Sequence, residues 1–147
     1  SVALFVFLVL SGCAWSASAQ SVAGQPTASL YKRLGGYDAI AAVVDDFLGR
    51  AGSDKQLSRF LVGLSTESKK KLRQLIVEQL CEATGGPCIY TGRRTKAAHA
   101  GLGITESDWQ VTVKYLGAIL DRFKVPEREK NEFLALASSL KGDIVEK

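Results

Sequence analysis

The sequence predicts an all-α protein with a single domain. Apolar side chains recur at three- and four-residue spacing in the segments after residue 29, which is the pattern of amphipathic helices. Glycine and proline punctuate these segments, and no run shows sustained two-residue alternation bounded by hairpin turns. With 147 residues, the chain fits one bundle of about six helices and an appendage rather than two domains.

Two amphipathic helices and a short turn-like helix are predicted in the first half of the bundle. The first helix follows Gly35-Gly36, and its apolar stripe consists of Ile40, Val43, Val44, Phe47 and Leu48. The short helix carries Leu57, Phe60 and Leu61. The next stripe ends at Gly85-Gly86-Pro87 and consists of Leu72, Leu75, Ile76, Leu80 and Ala83. Residues 64–71 lack a clear start signal, so the beginning of this last helix and its register are left open.

Three more helices are predicted in the second half. A short helix carries His99 and ends at Gly101 or Gly103. Thr105, with Asp108 three residues later, has the pattern of an N-cap. The helix that it begins has an apolar face of Trp109, Val113, Leu116, Leu120 and Phe123. Pro126 suits the first turn of the last helix. The inward face of that helix consists of Phe133, Leu136, Leu140 and Ile144.

The N-terminal segment is uncharged as far as Lys32 and predicts export. Residues 2–10 are apolar without interruption, which is shorter than the ~20 residues that span a bilayer and typical of a secretory signal. Cleavage before Cys13, in a lipobox-like context, would give a signal peptide over residues 1–12 and a lipid on Cys13 as the one contact with the membrane. The alternative is ordinary cleavage after Ala19. Residues 13–28 are predicted to form a flexible tether, and residues 29–147 the globular domain. The protein is expected in the periplasm or anchored through the lipid to the bacterial envelope.

The charge of the chain bears on its partners, and its cysteine content bears on a possible disulfide. The formal net charge of +4 is mild, and no basic run is interleaved with aromatic residues, which argues against a nucleic-acid partner. Cys81 and Cys88 flank the Gly-Gly-Pro turn. In an oxidising compartment they could form a disulfide worth roughly 2–3 kcal/mol, and the alternative is two free thiols.

His99 is the only histidine of the chain, and there is no methionine. Imidazole is the commonest protein ligand for iron, and small alanines on either side of His99 let a flat ligand approach closely. The alternative is an ordinary surface or core histidine. The residues around His99 decide between these interpretations.

Four segments of the chain resemble group I truncated haemoglobins when they are taken in order. They are Leu30–Gly36, Ile40–Phe47, Gly85–Pro87 with Tyr90-Thr91-Gly92, and Ala98–Thr105. The resemblance covers residues 29 to about 145. It implies a truncated two-over-two globin fold around haem b, with His99 as the proximal iron ligand. It also implies that the ring lies between the His99 helix and a wall made by the Phe47 helix and the helix of residues 72–80. Residues near the haem propionates would be Tyr90, Arg93, Arg94 and Lys96.

On the distal side, the chain departs from the group I pattern. Leu48 stands where a tyrosine usually follows the phenylalanine that matches Phe47, and Ile76 stands where a glutamine is usual. Leu61, next to Phe60, matches a haem-packing phenylalanine, and Leu72 and Leu80 add further apolar haem contacts. The resemblance therefore implies a distal side without a hydrogen-bond donor. A shift in helix register would bring in Gln74 or Gln79.

The implied function is reversible binding of a diatomic gas: oxygen, nitric oxide or carbon monoxide. A hydrogen bond to a charged partner is worth about 1.5–3 kcal/mol, so losing the distal donor weakens oxygen retention roughly ten- to over a hundred-fold. Without a second histidine or a methionine, the ferrous iron is expected to be five-coordinate unless a lysine, a tyrosine or Cys81 reaches it. One alternative is a nitric oxide dioxygenase that works with an unidentified reductase. Another is a haemless envelope lipoprotein that acts as an interaction module.

Overall fold

The computed structural model describes residues 28–147, so the predicted signal peptide, both processing sites and nearly all of the tether lie outside the described residues. Within that range the chain is helical and contains no strand, which confirms the predicted all-α class. The elements in order are α1 (Leu30–Leu34), α2 (Tyr37–Ser53), a 3₁₀ helix (Ser58–Phe60), α3 (Thr66–Ala83), α4 (Thr95–His99), α5 (Glu106–Arg122), α6 (Glu127–Ser139) and α7 (Lys141–Ile144). None of these helices is long and apolar enough to cross a membrane.

Helix α2 is the centre of the bundle because it packs against both α3 and α5. Two clusters of buried side chains share it. The first joins α1, α2, α5 and α6 through Leu30, Val43, Ile119, Leu120 and Phe133. The second lies between α2 and α3 and consists of Ile40, Ala41, Val44, Val77 and Cys81. Ile40 belongs to the second cluster and Val43, three residues later, belongs to the first. The predicted apolar stripe of α2 therefore contacts two different sets of neighbouring helices.

Helix α1 was not predicted, because five residues are too few to show a helical period. Its ends carry local signals instead. The Ser29 side chain accepts a hydrogen bond from the Lys32 backbone N–H, and Gly35 ends the helix in the left-handed region with φ 103°.

The start of α3, which the sequence left open, is set by Ser65. The Ser68 backbone N–H donates to Ser65 Oγ at 3.1 Å, which satisfies one of the free N–H groups of the first turn. This cap places the whole segment from Thr66 onward in one helix and determines the register of Leu72, Ile76 and Leu80.

The prediction for the end of α5 was wrong at Phe123. The helix ends at Arg122, and Phe123 is 43% exposed rather than part of the buried face. Lys124 adopts a left-handed φ of 55°, and the Val125 N–H donates back to the Leu120 carbonyl at 3.0 Å. In this C-terminal motif, the residue after the left-handed one contacts the last buried turn, so Val125 takes the place predicted for Phe123.

The last predicted helix is two helices. Pro126 immediately precedes α6, and the helix is interrupted at Leu140. Ser139 Oγ donates to the Leu136 carbonyl at 2.6 Å, while the Leu140 N–H bonds to the Ala137 carbonyl instead. A hydroxyl that competes for a helical carbonyl in this way favours a break. Phe133 is buried as predicted, whereas Leu136, Leu140 and Ile144 are half-buried.

The predicted N-cap of α5 is a full capping box with a buried acid. Thr105 and Asp108 exchange side-chain-to-backbone hydrogen bonds, and Asp108, which is 1% exposed, also accepts from Gln56 (2.7 Å) and Arg59 (2.6 Å). Burial acts to raise the pKa of Asp108, but these hydrogen bonds outweigh it and lower the pKa to about 2. One carboxylate thus joins α5 to the residues around the 3₁₀ helix.

Replacing Asp108 by alanine should lower the free energy of unfolding by about 2–3 kcal/mol, because it removes the buried acceptor that Thr105, Gln56 and Arg59 share. Since the pKa of Asp108 is lower in the folded than in the unfolded chain, its stabilisation is complete above about pH 4 and is lost as the pH falls towards 2. Urea unfolding between pH 2 and 7 measures both effects. Asp38→Ala, at an exposed acid in the first turn of α2, is the matched control. Equal effects of the two variants would contradict the assignment.

Candidate functional site

The single histidine is presented by α4 in a defined tautomer. His99 Nδ1 lies 2.7 Å from the carbonyl oxygen of Thr95, one turn earlier in the helix. Because a carbonyl only accepts hydrogen bonds, Nδ1 carries a proton, and in the neutral imidazole the lone pair is then on Nε2. The half-buried imidazole is therefore oriented and prepared to bind a metal through Nε2.

The chain segment before α4 is fastened to the end of α3. A disulfide joins Cys81 to Cys88, with 5.7 Å between the Cα atoms, so the pairing that the sequence left open is formed. The Gly86 N–H donates to the Cys81 carbonyl at 2.8 Å. A Cβ at position 86 would lie 2.5 Å from the ring of Tyr31 and 2.7 Å from Cys81 Sγ, so this turn requires glycine.

Tyr90-Thr91-Gly92 continues this constraint towards α4. The Tyr90 ring lies against the backbone of Gly92, where a Cβ would approach the phenol oxygen to 2.3 Å. The Tyr90 hydroxyl donates to the Arg93 carbonyl at 2.7 Å. On α4 itself, Gln79 Nε2 of α3 donates to Thr95 Oγ1 at 2.9 Å. These contacts fix the helix that carries His99 relative to α3.

Reducing the disulfide should lower the free energy of unfolding by about 2–3 kcal/mol, because the unfolded chain regains the freedom of the closed loop. Urea unfolding with and without a reductant measures the difference. The Cys81→Ala/Cys88→Ala double variant is the control and should not respond to reductant. A wild-type unfolding midpoint that reductant leaves unchanged would show that the bond does not stabilise the fold.

An apolar cavity of about 250 Å³ opens beside α2, the 3₁₀ helix and α3. Its lining consists of Leu48, Gly52, Ser58, Leu61, Val62, Gly63, Lys69 and Leu72. Three side chains predicted for the distal side, Leu48, Leu61 and Leu72, are thus brought together at one cavity. They come from three different elements, which the sequence stripes alone do not connect.

Other predicted haem contacts lie behind or outside this lining. Phe47 and Leu80 pack against the first core cluster, and Ile76 packs against the second, all three half-buried. Phe60 is paired with Arg59, whose guanidinium carbon lies 4.4 Å from the ring centroid. His99 is on α4 and is not part of the cavity lining.

The alternative register, which would have brought a glutamine to the cavity, is not formed. Gln74 donates to Tyr37 Oη (3.1 Å) and to Glu78 (2.9 Å) on the exposed side of α3. Gln79 is engaged with Thr95, as described above. The polar groups that do line the cavity, Ser58 and Lys69, were missed by the sequence analysis. Lys69 could have been found, since it precedes Leu72 by three residues on the same face of α3.

Three cationic side chains and a tyrosine lie at or just before the N-terminal end of α4. Arg93, Arg94 and Lys96 are exposed, and none of them forms an ion pair within residues 28–147. The Tyr90 hydroxyl donates its proton to the Arg93 carbonyl, and its oxygen can still accept a hydrogen bond. The cationic side chains are therefore available to an anionic group such as a carboxylate.

The donor set fits haem better than a bare metal ion. Within residues 28–147 no group of three or more His, Cys, Asp or Glu side chains is arranged to hold a metal. Porphyrin supplies four nitrogens to its iron, so the protein needs to add one imidazole, apolar walls and cations for the propionates. His99, the aliphatic lining and the cations next to α4 correspond to these requirements.

The fold and this site define a globin of the two-over-two class. The chain belongs to the family described as Bacterial-like globin, which matches residues 29–146. It is similar to the group 1 truncated hemoglobin GlbN of Mycolicibacterium paratuberculosis, with 35% identity over 117 residues that cover 80% of this chain and 84% of the relative. The corresponding protein of Nostoc sp. is 30% identical over 119 residues, 81% of this chain and 98% of the relative.

Solved structures agree in fold. The 2/2 hemoglobin of Synechococcus sp. PCC 7002 superposes with a TM-score of 0.73 at 26% identity, covering 82% of this chain and all of the other. The truncated hemoglobin of Tetrahymena pyriformis in its Fe(III) form gives a TM-score of 0.73 at 23% identity, with the same coverage. The family membership identifies this protein as a haem-binding globin.

Proposed function

We propose that this globin binds a diatomic gas reversibly at the iron of haem b, with His99 as the proximal ligand. The observation that carries the proposal is the hydrogen bond from His99 Nδ1 to the Thr95 carbonyl, because a neutral imidazole that donates from Nδ1 presents the Nε2 lone pair to a metal. Haem, when bound, supplies an iron with one coordination position left for a gas. Apolar contacts to the ring would come from Phe47, Leu48, Phe60, Leu61, Leu72, Ile76 and Leu80. Arg93, Lys96 and Tyr90 would hold the propionates.

The character of the cavity favours fast release of oxygen. Its polar and charged side chains are few, namely Ser58 and Lys69. Leu48 of α2 and Leu72 of α3 contribute aliphatic walls, and the two candidate glutamines of α3 are engaged elsewhere. Oxygen takes up partial negative charge on binding, so a hydrogen-bond donor retains it. Carbon monoxide and nitric oxide depend less on such a donor. The site is therefore relatively better suited to nitric oxide or carbon monoxide. A nitric oxide dioxygenase needs retained oxygen, so we place gas binding first.

We also propose that the protein is exported to the periplasm or anchored to the envelope. The Cys81–Cys88 disulfide supports this, because such bonds persist in oxidising compartments. Mass spectrometry of the protein from membrane and soluble envelope fractions would separate a lipid on Cys13 from cleavage after Ala19. Recovery of an unprocessed chain in the cytoplasm would contradict export.

The absorption spectrum of the ferrous protein, recorded before and after addition of carbon monoxide, tests the gas-binding function. We expect a five-coordinate ferrous spectrum that shifts on addition of the gas. A six-coordinate spectrum would mean that a lysine or a tyrosine closes the iron, since Cys81 is engaged in the disulfide. A protein that takes up no haem would contradict the proposal.

A further inference from the structure

The loop that follows His99 is clasped by a single carboxylate from the far end of the chain. The backbone N–H of Gly101 donates to Glu146 Oε1 at 2.6 Å, and that of Gly103 donates to Glu146 Oε2 at 2.5 Å. Both glycines have positive φ, 81° and 64°, and these turns point both N–H groups at the same carboxylate. Both oxygens of Glu146 are thus engaged.

Glu146 is itself held in place by main-chain hydrogen bonds. Its N–H donates to the carbonyl of Ile104 at 2.8 Å, and the carbonyl of Lys147 accepts from the Glu106 N–H at 3.0 Å. The neighbouring helix α7 packs against α4 and forms a separate ion pair, between Lys141 and Glu106 at 2.9 Å, that does not involve Glu146. The clasp is therefore an organised contact rather than a stray surface side chain.

The charge state of Glu146 agrees with this geometry. Hydrogen bonds from the Gly101 and Gly103 N–H groups lower the pKa of Glu146 below its ordinary value, with the nearby Lys147 adding a smaller effect in the same direction. The carboxylate is ionised at neutral pH, and its hydrogen bonds are charge-assisted.

Helix α4 depends on contacts at its ends because five residues do not make a stable helix. At its beginning it is fixed by the disulfide loop and by Gln79. After His99 the chain continues directly into the clasped loop, where the Leu102 N–H bonds to the His99 carbonyl at 3.2 Å. Any movement of Gly101 is therefore transmitted to the backbone that carries the imidazole.

From this arrangement we infer that Glu146 is a positioning residue that sets the orientation of the His99 imidazole and hence the geometry of the iron–histidine bond. The inference rests on the proposed function, in which His99 binds the iron. It assigns to Glu146, which follows α7, a role in orienting the proposed iron ligand in addition to its role in stabilising the fold.

The test uses the haem-loaded protein and three variants. Glu146→Ala removes both acceptors, Glu146→Gln keeps one, and Glu106→Gln breaks the neighbouring ion pair without touching the glycines. Resonance Raman spectroscopy of the ferrous, gas-free protein measures the iron–histidine stretching band. We expect a shift and broadening that is largest in Glu146→Ala, smaller in Glu146→Gln and absent in Glu106→Gln.

Amide hydrogen exchange provides the second measurement, which does not depend on gas binding. Exchange at Gly101 and Gly103 should become at least about tenfold faster in Glu146→Ala, since each N–H loses a hydrogen bond to a charged partner. An unchanged stretching band alongside faster exchange would overturn the inference and leave Glu146 a structural clasp. If the wild-type protein itself shows no iron–histidine band, the proposed function fails first and the inference fails with it.

Discussion

Substitution of His99 by alanine is expected to abolish ligation of the haem iron. The chain contains no other histidine and no methionine, so no second imidazole and no thioether is present to replace His99. We expect haem uptake to fall by more than about tenfold, which corresponds to at least 1.4 kcal/mol of lost binding free energy. Titration of the apoprotein with haem, followed by absorption spectroscopy of the ferrous state, measures both effects.

Addition of free imidazole provides the control for this variant. Because His99 is half-buried and belongs to neither core cluster, the alanine variant should keep the helical circular dichroism of the wild type. Imidazole in the buffer should then restore a histidine-like ferrous spectrum at the vacated position. A variant that binds haem as tightly as the wild type, with an unchanged ferrous spectrum, would show that His99 is not the iron ligand.

The sequence predicted those parts of the fold that depend on local patterns. Apolar periodicity gave the long helices, and Thr105 with Asp108 gave the beginning of α5. The errors lie where a short-range hydrogen bond competes with the pattern. The apolar stripe predicted that α5 buries Phe123, but the left-handed backbone at Lys124 ends the helix first and brings Val125 to the core instead. In the last predicted helix, the Ser139 hydroxyl competes for a helical carbonyl at the point where the helix is interrupted.

The candidate site was predictable to a different degree on its two sides. The resemblance predicted Leu48, Leu61 and Leu72 for the distal side, and the structure places these three residues around one cavity. Ser58 and Lys69 were missed because a polar residue on an amphipathic helix is ordinarily assigned to solvent. The clasp formed by Glu146 is more than forty positions away from its glycine partners, and no local pattern connects them.

The two sides of the site also differ in how they are stabilised. Around His99, hydrogen bonds and one disulfide fix a short helix at both ends, and little apolar burial is involved. The Asp108 hydrogen bonds hold the residues around the 3₁₀ helix beside the cavity, whereas the aliphatic part of the lining consists of packed side chains. The shape of that part tolerates exchange between apolar side chains of similar size. If His99 is the proximal ligand, as proposed, substitutions in the cavity lining should change gas affinity without disturbing it.

Substitution of Leu48 by tyrosine is accordingly expected to slow the release of oxygen by roughly ten- to a hundred-fold. Leu48 lies in the aliphatic part of the cavity lining, and the tyrosine hydroxyl would add a hydrogen-bond donor there, at about 1.5–3 kcal/mol. Release of carbon monoxide should change much less, because that ligand draws less on a donor. Stopped-flow measurement of the two dissociation rates gives the comparison.

Leu48→Phe is the matched control, since it adds the same ring without the hydroxyl. Steric effects of the ring change both variants alike, so the ratio of their oxygen release rates isolates the hydrogen bond. Equal rates in the tyrosine and phenylalanine variants, together with slow release from the wild type, would contradict the donor-poor cavity. Ser58 or Lys69 would then be the donor, because both already line the same space, and alanine at each position would identify which of them retains the gas.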